Sequence, residues 1–161
     1  MDETKILRME LLSLLRGGNA HMTFDQAIEE FPRNRINEVF PNGNYSSWAL
    51  LEHIKRTQSD ILEFIKENNY KEKEWPKDYW PDSSIKADEH DWKKTIEEYK
   101  KDLRDLEEIV NDEKIDLYKE IPWGEGQNIL REIQLVADHS SYHIGEFAIM
   151  RQVMGTWGKG H

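Results

Sequence analysis

The chain has 161 residues, a length suited to one domain with its own core. Its formal net charge of −10 disfavours nucleic acid and anionic membrane surfaces, both of which are bound through Lys and Arg. Cysteine is absent, which excludes disulfides, thiolate metal ligands and a cysteine nucleophile. Six Trp, six Tyr and five Phe supply large units of burial, so a folded chain is expected rather than a disordered one. The start Met1-Asp2-Glu3 is acidic, unlike a signal peptide, and no apolar run approaches the ~20 residues of a membrane span. The expectation is a soluble, cytoplasmic protein whose residues 1–161 form a single domain.

Helical spacing recurs along the chain, and sustained two-residue alternation does not. A first helix is predicted from about Glu3 to Arg16, with Leu7, Leu11, Leu14 and Leu15 on one face and Gly17-Gly18 as its stop. Thr23 and Gln26 have the spacing of a capping box, opening a short helix through Phe31 that Pro32 ends. After the turn Pro41-Asn42-Gly43-Asn44, a long helix is predicted from Ser46 to Asn68, with Leu50, Leu51, Ile54, Ile61, Phe64 and Ile65 facing inward. The stretch between Asn69 and Ala87, centred on EWPKDYWP, is a long connection whose Trp75, Tyr79 and Trp80 favour an ordered crossover. A helix from Asp88 to Val110 follows, with the seam Trp92, Ile96, Tyr99, Leu103, Leu106, Val110. Asn128 caps the last helix, whose seam reads Ile129, Ile133, Val136, Ser140, His143, Phe147, Met150, Met154. Four long helices and one long crossover predict an all-α four-helix bundle.

One position in that last seam is out of character. His143 stands where an apolar residue is expected, and His139 lies one turn before it on the same face, so the two imidazoles can share one ion. The segment DHSSYH has no Glu after its first His, which rules out the HExxH protease motif. Glu-x-x-His pairs of a di-iron bundle are missing too, leaving a mononuclear site. His53, flanked by Leu50, Leu51 and Ile54, is the candidate third ligand from another helix. Each histidine alone has a plainer explanation as a hydrogen-bonded core or boundary residue; two helices placing His among core positions favour a metal site.

The segments GGNAHMTFDQAIEEFP, NYSSWALLEHIKRTQSDILEF, EWPKDYWP and ADHSSYHIGEFAIMRQVMG together resemble the DinB/YfiT-like group of metal-dependent bacterial proteins. The resemblance spans nearly the whole chain. It implies a four-helix bundle holding one divalent metal through three histidines, which fall on His53, His139 and His143. Glu146 departs from the pattern, since many relatives have glutamine there. Relatives include thiol-dependent S-transferases, so the resemblance implies a metal-dependent hydrolase or a transferase activating a small thiol.

Glu146 shares the stripe of His139 and His143 and is the candidate catalytic residue, either as a general base or as an acceptor orienting a ligand. Its plainer alternative is a charge turned to solvent. Asp138 is expected to be structural. Trp48 is a candidate pocket wall or core residue, and Trp75, Tyr79 and Trp80 are candidates to cover the site or merely to pack the crossover. His21 is a weak candidate for the pocket, His90 is expected to be solvated, and His161 is terminal. The expected cofactor is one divalent ion, Zn or Ni first, with Mn or Fe as alternatives. The expected partners are a small-molecule substrate, a low-molecular-weight thiol and, as a homodimer, a second copy of the chain. The competing function is a non-enzymatic bundle that binds metal, senses a ligand or associates with other proteins.

Overall fold

The computed structural model describes residues 2–157; His161 lies outside the described residues. The chain is all-helical, with helices α1 (Glu3–Arg16), α2 (Phe24–Ile28), α3 (Ser47–Lys66), α4 (Glu89–Asn111) and α5 (Ile129–Val153). Each start is fixed by a polar side chain that accepts from an otherwise unpaired backbone N–H: Asp2, Thr23, Ser46, Asp88 and Asn128. The capping box at Thr23 and Gln26 forms as predicted. The helix it opens ends at Ile28 rather than Phe31, yet Phe31 is still buried in the core. No helix among the described residues is long and apolar enough to cross a membrane.

Helix α3 packs on α4 and α5, and α1 packs on the same two helices. The predicted inner face of α1 needs one correction. Arg8, Leu11 and Leu15 are its buried residues, while Leu14 is 45% exposed. Adjacent helical residues point about 100° apart, so the stripe that buries Leu15 turns Leu14 outward. Arg8 is buried because it has work at the end of α4: its guanidinium donates to the carbonyls of Val110 and Ile115 at 2.6 and 2.5 Å. A cation there meets the negative end of the α4 dipole and satisfies a carbonyl of its last turn.

The core is divided into two apolar clusters, and that division positions the site. Leu50, Leu51 and Ile54 of α3 join Phe147 and Met150 of α5 in one cluster. Ile61, Leu62 and Ile65 of α3 join Ile133, Val136 and Ala137 of α5 in the other. Between them lies a polar level, with Gln58 from α3 and His139, Ser140 and His143 from α5. Gln58 donates to the Tyr99 carbonyl at 2.7 Å, which satisfies its buried amide nitrogen. Burial pushes the Tyr99 phenol up to about 12, with a hydrogen bond to Ser140 opposing the rise; this contact accounts for a small polar residue in the α5 seam.

The connection between α3 and α4 is tied down along its length. Asp60 of α3 accepts from the phenols of Tyr70 and Tyr79 at 2.9 and 2.6 Å. Arg56 donates to the Trp80 carbonyl at 3.0 Å and pairs with Glu52 at 2.9 Å. Further on, the Asn37 amide bonds both backbone groups of Ala87. The Asp60 and Arg56 bonds lay the crossover along α3 on the side where His53 meets the Tyr79 carbonyl.

Candidate metal centre

His53 comes from the second turn of α3, and its neighbours Leu50, Leu51 and Ile54 are fully buried. Each such side chain contributes about 1.5–3 kcal/mol by leaving water, so the register that buries them carries His53 inward with them. His139 and His143 follow from α5, where Val136 and Phe147 fix the inward face. The structure brings the three predicted histidines together: one ligand nitrogen from each lies within 4.8 Å of the others. Their ring centroids are 4.5 to 4.9 Å apart. His53 and His143 are buried and His139 is half-buried, so the cluster is nearest to solvent on the His139 side.

The outer nitrogens of two rings are already committed. His53 Nδ1 lies 3.1 Å from the Tyr79 carbonyl, an acceptor only, so Nδ1 bears the hydrogen and Nε2 presents a lone pair. His143 Nδ1 lies 2.5 Å from Glu146 Oε2, which leaves Nε2 as the ring nitrogen not already held by the protein. The second Glu146 oxygen accepts from the Tyr45 phenol at 2.6 Å. Both carboxylate oxygens are thus engaged, and Glu146 faces the site rather than solvent. His53 Nε2 and His139 Nε2 stand 3.1 Å apart. Two nitrogens bound to one tetrahedral ion at ~2.0–2.1 Å lie about 3.3–3.4 Å apart, so the pair stands slightly closer than a chelate requires and would open by a few tenths of an ångström to hold an ion.

Electrostatics favour the ligand state. Burial lowers the His53 pKa to about 4, against an opposing hydrogen bond to Tyr79. Burial, then the neighbouring His143 and His53, lowers His139 to about 3. Both rings are therefore neutral at pH 7, as a metal ligand must be. Burial also raises the Tyr45 phenol, assisted by its bond to the Glu146 carboxylate, so Tyr45 stays a hydrogen-bond donor.

The crossover completes the surroundings. Trp80 stacks on His53 with centroids 4.0 Å apart and planes 5° from parallel, and Trp75 meets His53 edge-on at 6.0 Å. Tyr142, 69% exposed, meets His143 edge-on at 4.9 Å. Trp48 is in the apolar core. Asp138 and His90 are exposed. His21 packs beside Gly17, whose φ of 68° lies in the left-handed region; a Cβ there would stand 3.0 Å from the His21 ring. His21 is outside the three-histidine cluster.

Two roles were not foreseen. Tyr79 acts through its backbone carbonyl, which carries no sequence signal. Tyr45 lies in a loop just before the Ser46 cap, with a sequence separation of 101 from Glu146. Comparison with protein families, curated proteins and solved structures finds no match to this chain.

Proposed function

We propose that the chain is a DinB/YfiT-like four-helix bundle, built from α1, α3, α4 and α5, that binds one divalent ion through His53, His139 and His143. The observation that carries this proposal is the convergence of the three rings, one nitrogen of each within 4.8 Å of the others, with Nδ1 of His53 held by Tyr79 and Nδ1 of His143 by Glu146. An all-imidazole set suits borderline ions, Zn or Ni first and Mn or Fe as alternatives. Three protein ligands are the set used by catalytic rather than closed structural zinc sites, and the proposed activity is hydrolysis or small-thiol transfer on a small molecule. The ion would supply Lewis-acid activation of a nucleophile or carbonyl. In this proposal Glu146 is a positioning residue, because its two oxygens already hold His143 and Tyr45.

A second function, metal or ligand binding without turnover, draws on the same burial: Trp80 covers one face of His53. Screening activated esters, amides and thiol–electrophile pairs with metal-loaded and EDTA-treated protein separates the two. Metal-dependent turnover that His143→Ala removes supports the enzyme. Tight metal binding with no turnover across the screen supports the binding module.

A further inference from the structure

A cavity of about 560 Å³ lies beside the histidine cluster, bounded by the loop before α3, the first turn of α3 and the crossover. Its walls include Tyr45, Trp48, Pro76, Trp80, Pro81 and Ile85. The volume is within the range of small-molecule pockets, and rings and aliphatic groups dominate the walls. Val39 and Ile85, also lining it, are 46% and 48% exposed, an apolar lip on a chain in which 34% of residues are charged.

Two of these walls touch the groups that orient the histidines. Trp80 stacks on His53, and Tyr45 packs against Trp80 at 4.7 Å while donating to Glu146. A molecule seated in the cavity therefore bears on His53 through one ring and on His143 through Tyr45 and Glu146. We propose that this cavity binds a flat, apolar small molecule, typically an arene, and that its occupancy is transmitted to His53 and His143 through Trp80 and Tyr45. The inference rests on the proposed function only in reading His53 and His143 as the centre that registers occupancy; the binding itself requires no metal.

The test uses the full chain, ¹⁵N-labelled at histidine, as purified and again after EDTA, titrated with 2-naphthol and followed through the imidazole ¹⁵N signals. The proposal expects one saturable site per chain, with the His53 and His143 signals moving and the exposed His90 signal still. Val39→Asp, at the exposed lip, and Ala49→Phe, which fills the cavity from the first turn of α3, should each weaken binding at least tenfold. An unchanged helical spectrum verifies that either variant is folded. No saturable binding up to about 1 mM overturns the proposal, as does binding that leaves His53 and His143 unmoved or that neither folded variant weakens. Binding to EDTA-treated protein by a chain that never holds metal would keep the cavity and remove the metal centre, so the two failures are distinguishable.

Discussion

His53 and His139 point their Nε2 atoms at each other across 3.1 Å. His53 spends its Nδ1 hydrogen on the Tyr79 carbonyl, so the hydrogen in this contact must come from His139 when no cation is there. With a pKa lowered by burial to about 3, His139 is neutral at pH 7 and has one ring hydrogen to place. Metal binding requires that hydrogen to move from Nε2 to Nδ1. Imidazole ¹⁵N spectra should therefore show His139 as the Nε2–H tautomer without metal and the Nδ1–H tautomer with it. A His139 that is Nδ1–H in EDTA-treated protein would contradict the predicted switch.

Glu146→Gln tests the positioning role. A glutamine offers one acceptor oxygen where the carboxylate serves both His143 and Tyr45, so one contact is lost or weakened. Outer partners of ligating histidines are typically worth about 10–100-fold in metal affinity, and a loss in that range is expected by calorimetric titration. Unchanged affinity would show that Glu146 does not support the ligand.

The crossover bonds should affect both stability and the site. Asp60→Ala frees the phenols of Tyr70 and Tyr79, and with them the segment whose carbonyl holds His53. Both phenols are half-buried and lose a bond to a charged acceptor, a loss of roughly 1–3 kcal/mol that urea denaturation can read. Metal affinity should fall with it. A variant that loses stability but keeps wild-type affinity would show that Tyr79 is held in place without Asp60.

Stability of the metal-free protein should depend on these histidines in a defined window. Their folded-state pKa values, about 4 for His53 and about 3 for His139, lie below the ~6.5 of an unfolded histidine. As pH falls below 6.5 the unfolded chain takes up these protons first, so stability is lost progressively down to about pH 3–4. Carboxylates contribute over part of that range, so the relevant quantity is a difference. Between pH 7 and pH 4.5 the wild type should lose more stability than a His53→Gln/His139→Gln variant. Parallel losses would mean that the two rings are not held neutral by burial.

The helices were legible because their signals are local. Thr23 with Gln26, Ser46 and Asn128 announce helix starts within one turn, and the α4 seam repeats over five turns. The three histidines were legible for a related reason: an imidazole at a core position of an amphipathic helix breaks a pattern that its neighbours define. Leu14 misled because a leucine beside Leu15 widens the apparent apolar face, and only packing shows which of the two is buried. Arg8 and Asp60 were missed because their partners, Val110, Ile115, Tyr70 and Tyr79, lie on other segments. The role of Tyr45 depends on a loop meeting α5, and no local spacing encodes that encounter.

Metal content tests the central claim most directly. The full chain, purified without a histidine tag, should carry about one divalent ion, measured by inductively coupled plasma mass spectrometry. His53→Ala, His139→Ala and His143→Ala should each lose tight binding while keeping their helical circular dichroism, because the apolar clusters on both sides of the histidine level stay intact. Full metal content in all three folded variants, or a wild-type chain that takes up no divalent ion when titrated with Zn or Ni at pH 7.5, would contradict the three-histidine centre.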